Sequence, residues 1–255
     1  MRRTMLILAA ALGAAIASTG VHALELKLLT AGAFKSTVVA LVPEYEKASG
    51  NTVNIDNDTV GALAKRIEAG ETFDVVVVTP AGIDELAAAG KVAPGSRANL
   101  ARVGVGVMVK AGAPKPDVST VEAFKKAVLA AKSVSFIDPA SGGSSGIYVA
   151  KLLERLGIAD QLKPKEKLKQ GGSVADYIVS GEAELGIHQI SEIVPHEGVT
   201  LVGPLPKEIQ NYTVYSAGIG ATTKQPEAAK ALIAVFSGPA AQALFKAKGM
   251  EAAGE

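Results

Sequence analysis

The segment Asp74-Val75-Val76-Val77-Val78 restricts the fold of this chain more than any other. β-Branched side chains are stiff at χ1 and suit a pleated strand, and an unbroken apolar run leaves neither face for water. A strand of this kind is buried on both sides, as in a parallel sheet covered by helices. The surrounding sequence agrees. Short apolar runs alternate with helical stretches that stop repeatedly at glycine, which takes the positive φ of a helix C-cap without steric cost. Leu26 to Thr30 reads as a first strand, a helix from about Thr37 ends at Gly50, and Val53 to Ile55 begins a second strand. A helix over Val60 to Ala69 then ends at Gly70, and the helix after the valine run ends at Gly90.

The pattern changes at Val103 to Lys110, a longer strand followed by the turn-rich Gly112-Ala113-Pro114-Lys115-Pro116. A second α/β series begins there, with a strand at Val134 to Ile137, a helix at about Gly146 to Leu156 and a short strand at Leu185-Gly186-Ile187. A return crossing at Tyr212 to Gly220 leads into helices near Pro226 to Ser237 and Pro239 to Lys248, which pack back on the first series. The expected architecture is α/β and two-lobed, each lobe a mostly parallel sheet flanked by helices, with a ligand in the cleft between. Lobe 1 takes residues 24–104 and 213–255, and lobe 2 takes residues 105–212.

The N-terminus carries Arg2 and Arg3, then an apolar stretch from Met5 to Ala17, then Val21-His22-Ala23 as a small-x-small cleavage site. That order is a secretory signal over residues 1–23, and it places the mature chain in the periplasm. An apolar run of about a dozen residues falls short of the roughly 20 that span a bilayer. Loss of the two arginines moves the formal charge from +1 to about −1, which disfavours a nucleic-acid partner. The chain contains no cysteine, so disulfides, Cys-ligated metals and thiol nucleophiles are excluded.

Ligands of open α/β sheets bind beyond the carboxyl ends of strands, where helix N-termini present free N–H groups. Three segments have that setting: Thr30 to Thr37, Asp58 to Ala62, and Ser141-Gly142-Gly143-Ser144-Ser145-Gly146. In the third, glycines expose backbone N–H groups and serines add hydroxyl donors, a combination suited to a carboxylate or oxyanion, although Ser/Gly before a helix is also ordinary capping chemistry. Lys35 offers a full positive charge, and His188 and Gln189 follow the Leu-Gly-Ile strand at the end where a site opens. His196 sits in a polar turn. Gly142 to Gly146 also fits the G-x-S-x-G nucleophile pattern, but Asp138 to Ser141 separates strand from serine where a nucleophile elbow turns directly.

Several stretches resemble the periplasmic molybdate-binding proteins of ABC transporters, a family of two-lobed type 2 periplasmic binding proteins. They are Leu63 to Gly70 before the Asp74 strand, Asp138-Pro139 leading to Gly146-Ile147-Tyr148, Glu184 to Ile187, and Ser237 to Ala241. The resemblance implies a hinged, monomeric binding protein without cofactor or metal, closing over a small anion and serving a membrane permease. It implies a ligand set of Ala33, Phe34, Lys35, Thr59, Gly61, Ser141, Gly143, Ser144, Ser145, Val174, His188 and Gln189. The chain departs from the family pattern at three points: Ala33 stands at the first-loop serine position, the second loop is reduced to Thr59-Val60-Gly61-Ala62, and Gln189 stands where a tyrosine is expected. A lysine, a histidine and an amide in place of neutral hydroxyls fit an organic carboxylate better than molybdate or tungstate. Aconitate isomerase is similar in fold, and on that alternative the chain is a cofactor-free isomerase with His188 or Lys35 as its base.

Overall fold

The structure is a computed structural model that describes residues 23–253, so all but the last residue of the signal sequence expected over residues 1–23 lies outside the described residues. The first series runs β1 (Glu25–Ala31), α1 (Gly32–Ser49), β2 (Thr52–Asp58), α2 (Val60–Glu68), β3 (Val75–Val78), α3 (Pro80–Ala88) and β4 (Ala98–Lys110). The second runs α4 (Val121–Ala130), β5 (Val134–Ile137), α5 (Ser144–Arg155), α6 (Ala159–Leu162), β6 (Glu166–Lys169), α7 (Ala175–Ser180), β7 (Leu185–Gln189), α8 (Ile190–Ile193) and β8 (Val199–Pro204). The chain then returns through β9 (Tyr212–Ile219), α9 (Pro226–Ser237), α10 (Pro239–Ala247) and β10 (Met250–Ala252).

The strands hydrogen-bond in the order β2-β1-β3-β9-β4-β7-β5-β6, with β8 and β10 also paired to β4. Two parallel groups, β2-β1-β3 and β7-β5-β6, flank the antiparallel strands β9 and β4. β4 changes partners along its length: Ala98 to Gly104 pair with β9, and Val105 to Val109 pair with β7. One parallel group thus pairs with β4 directly through β7, and the other reaches it through β9.

The valine run explains its own composition. Side chains alternate across a strand, so Val75 and Val77 enter one core with Phe34, Leu41 and Phe236, while Val76 and Val78 enter a second with Leu63, Ile67 and Ile83. Two further cores cover the other parallel group: Phe124, Phe136, Leu152 and Ile187 on one face, Met108, Ile137 and Ile178 on the other. Phe34 is the centre of the largest core, with its ring 5.9 Å from Phe245, 6.1 Å from Phe236 and 6.4 Å from Tyr215.

Two elements begin earlier than their sequence signals. α1 starts at Gly32 rather than near Thr37, because its N-cap, Ala31, has no capping side chain to announce the turn. β4 starts at Ala98 rather than Val103, since its first residues include exposed polar positions. β6, an exposed Glu-Lys-Leu-Lys edge, carries no apolar pattern at all.

Phe34 is fully buried. Phe34→Ala should lower the free energy of unfolding by about 3–5 kcal/mol, the usual range for a buried Phe, as read by chemical denaturation.

Candidate functional site

The carboxyl ends of β1, β2, β5 and β7 converge on one cavity of about 410 Å³, with Ala31, Asp58, Ile137 and Gln189 on its wall. Helices α1 and α5 both start there. Neither N-cap, Ala31 or Gly143, supplies a side-chain hydrogen bond to its helix. The first turn of an α-helix has N–H groups with no partner inside the helix, and the peptide dipoles add positive potential at that end. Two uncapped N-termini opening on one cavity therefore make it receptive to an anion. α2 differs, because Thr59 Oγ1 accepts from Ala62 N at 3.1 Å and caps it.

A closed polar network lines the floor between β7 and β9. Tyr215 Oη donates to Gln189 Oε1 at 2.8 Å, and Gln189 Nε2 donates to Ser144 Oγ at 3.2 Å and to Thr213 Oγ1 at 3.1 Å. Ser144 Oγ lies 3.2 Å from Tyr215 Oη, so its own proton is free to point at the tyrosine or into the cavity. Burial pushes the Tyr215 phenol up, and it stays a donor. Ser145 Oγ is 3.4 Å from His188 Nδ1.

Two titratable groups meet beside this network. His188, 2% exposed, brings Nε2 to 3.4 Å from Glu192 Oε1, but the alignment makes no hydrogen bond and Nε2 is left without a partner. Removal from water disfavours the imidazolium and pushes His188 down to about 3, so it is neutral at physiological pH. The same burial pushes Glu192 up to about 8, with Lys35 pulling the other way. Glu192 Oε1 also lies close to the Gly32 backbone, 2.8 Å from where a Cβ would stand. Ser36 Oγ, on the same wall, is a second buried polar atom without a partner.

Of the residues singled out in the sequence, Ala33, Lys35, Thr59, Gly143, Ser144, Ser145, His188 and Gln189 line the cavity. Four do not. Phe34 and Val174 are completely buried in apolar cores. Ser141 Oγ is spent on Asp138 O at 2.8 Å, and Gly61 N donates to Gly142 O at 3.1 Å. Thr59 Oγ1 donates to Ser141 O, so the α2 loop meets the loop before α5 directly across the cavity mouth. Gly61 and Gly142 touch so closely that a Cβ on Gly61 would lie 2.7 Å from Gly142 Cα. Sequence reasoning missed Glu192, which lies in a four-residue helix with no periodic signal, and Tyr215, whose alternation in β9 was the one available sign.

The parallel groups, the shared crossing strands and a cleft between define a type 2 periplasmic binding fold. The chain belongs to the bacterial extracellular solute-binding protein family, whose model matches residues 26–251. It is 34% identical over 214 residues to the aconitate isomerase of a Pseudomonas species, covering 82% of this chain and 80% of that protein. It is 27% identical to the molybdate-binding protein ModA of Azotobacter vinelandii, covering 95% and 96%. The solved structure of the A. vinelandii periplasmic molybdate-binding protein superposes with a TM-score of 0.76 at 24% identity, over 88% of this chain and 98% of that one.

The two shifted groups act on stability with opposite signs. His188 binds fewer protons folded than unfolded between pH 3 and 6.5, so its contribution is lost as pH falls through that window. Glu192 binds more protons folded than unfolded between pH 4.5 and 8, so stability falls as pH rises through that window. The stability of Glu192→Gln relative to the parent should therefore grow from pH 4.5 to 8 and then level off. Thermal denaturation across that range checks it, and a constant difference contradicts it.

Proposed function

We propose that this chain is an exported, periplasmic binding protein of an ABC-type importer that closes over a small organic carboxylate. The observation that carries the reading is the pair of uncapped helix N-termini, α1 and α5, opening on one cavity. Lys35 adds a full positive charge, and Ser144, Ser145 and His188 add donors at defined positions. A cavity of about 410 Å³ has more room than a tetrahedral oxyanion fills, and its charged and amide groups suit a ligand whose charge is spread over several atoms. Of the hydroxyls on the wall, Thr59 is committed to its helix and to Ser141, and Ser191 to Ala33 O, while Ser36, Ser144 and Ser145 stay available to a ligand.

On this reading residues 24–104 with 213–255 form one lobe and 105–212 the other, hinged where β4 changes partners between Gly104 and Val105. Ligand bridging α1 and α5 would stabilise the closed form, which a permease would recognise. No metal or cofactor enters, and a monomer is sufficient.

A second reading, as an isomerase of a tricarboxylate, is favoured by one specific observation: His188 and Glu192 meet inside the cavity, in a chain 34% identical to an aconitate isomerase. In a double-bond shift, a base removes a proton from the saturated carbon next to a carboxylate. The electron pair forms a new C=C, and the far carbon of the old one takes a proton. Lys35 and the helix N-termini would stabilise charge on the carboxylate as the proton leaves.

A thermal-shift screen against molybdate, tungstate, sulfate, and di- and tricarboxylates, with NMR of each stabilising compound after incubation, separates these readings. A ligand at about a hundredfold excess over Kd adds about 2.7 kcal/mol. A carboxylate recovered unchanged supports transport, a rearranged one supports isomerisation, and stabilisation by molybdate or tungstate alone overturns the carboxylate assignment. Gly61→Ala should weaken binding of the stabilising compound, because its Cβ collides with Gly142 and holds the mouth open. Small-angle scattering should then show a more extended particle in the presence of ligand than the parent gives.

A further inference from the structure

The cavity holds a group that an anion site ordinarily avoids. Glu192 places a carboxyl on the wall, its side chain 16% exposed, wedged between the Gly32 backbone and the His188 ring. Among the described residues this carboxyl accepts no hydrogen bond from any neighbour, and His188 Nε2 beside it is buried without a partner. A buried ring nitrogen without a partner is costly unless something completes it, and the Glu192 carboxyl beside it keeps an edge open to the cavity. An ionised Glu192 would repel the anion that α1, α5 and Lys35 attract. A neutral Glu192 reverses that effect, because a protonated carboxyl donates a hydrogen bond that a carboxylate accepts.

We propose that Glu192 carries a proton in the ligand-bound state and donates it as a hydrogen bond to a carboxylate of the ligand, so that binding a fully ionised carboxylate takes up one proton wherever Glu192 is ionised in the free protein. This rests on the carboxylate reading above and adds to it a specificity-determining residue. The groups that face Glu192 do not supply the proton in its place. His188 on β7 is held neutral by burial, and Tyr215 on β9 is pushed further from ionisation. Lys35 on α1 attracts the ligand and opposes the effect of burial on Glu192. Asp58 at the end of β2, His196 beyond α8 and Lys248 beyond α10 complete the charged groups on the wall. Desolvation, which already lifts the Glu192 carboxyl to about 8, is reinforced when a second anion arrives next to it.

The linkage has a definite sign. If only the protonated form binds, affinity is flat while Glu192 is already neutral and falls about tenfold per pH unit once the free protein ionises. The uptake approaches one proton per site in the same range.

The test is isothermal titration of the mature chain with tricarballylate, a saturated tricarboxylate that has no double bond to move. It is run between about pH 7 and about pH 9.5 in pairs of buffers with different ionisation enthalpies. The parent should lose affinity about tenfold per unit above about pH 8, with a buffer-dependent heat approaching one proton. Glu192→Gln, which cannot ionise, should flatten the profile, and Lys35→Met should weaken binding throughout while keeping the slope. The parent's buffer dependence decides the matter alone if Glu192→Gln does not fold. Tricarballylate binding with a flat profile and buffer-independent heat overturns the role of Glu192 and leaves the carboxylate reading standing. Binding of molybdate in parallel titrations, with none of tricarballylate at any pH, overturns the carboxylate reading itself.

Discussion

The fold depends on one backbone constraint, the need of β4 for hydrogen-bond partners along thirteen residues. A buried strand cannot leave its N–H and C=O groups unpaired, and β4 meets that demand with β9 at one end and with β7 and β8 at the other. The β7 group is tied to β4 directly and the β3 group through β9, and the carboxyl ends of both open on one space. The cavity is a consequence of that pairing. α8 is placed by it too: Ile190 packs against the core around Phe34, while Ile193 belongs to the core around Met108. Glu192, between them, has nowhere to go but the wall of the cavity.

Much of the architecture was legible in the sequence for a physical reason. Strands buried on both faces are largely apolar, and helices that end in a left-handed turn favour glycine, so Val75 to Val78, Val134 to Ile137 with its one hydrogen-bonded serine, and the stops at Gly50 and Gly70 announce themselves. Elements held by pairing rather than by burial do not. β6 is polar and exposed because an edge strand needs only one neighbour, and β10 is three residues whose register is set by β4. The start of α1 was hidden for the very reason that it matters, since an uncapped N-terminus has no capping residue to read.

The candidate site was legible in outline only. Loops that combine glycine with hydroxyls lie at the cavity, but residue type does not reveal which hydroxyls remain available. Ser144 and Thr59 look alike in sequence, yet Ser144 keeps a proton free while Thr59 is consumed by its helix and by Ser141 across the mouth. Phe34 sits beside Lys35 in the chain and faces the opposite way, into the core, because successive residues of a helix point in different directions. Glu192 gave no signal because its significance lies entirely in what surrounds it.

The chain belongs to a solute-binding family and is also similar to a protein named as an isomerase, and the cleft gives a physical basis for both likenesses. Holding an anion between two uncapped helix ends requires excluding water and fixing donors around the ligand, and those are also conditions under which proton transfer becomes efficient. The difference between the two activities then reduces to whether a titratable group stands at the right atom with a suitable pKa. Neutral hydroxyls meet the first requirement of holding an anion and offer nothing for proton transfer. Glu192, pushed up to about 8 beside a neutral His188, is the feature of this cavity that goes beyond holding an anion. A buried acid of this kind lowers the stability of the empty protein at neutral pH, and in this cleft that cost is tied to a position where a ligand can use the proton.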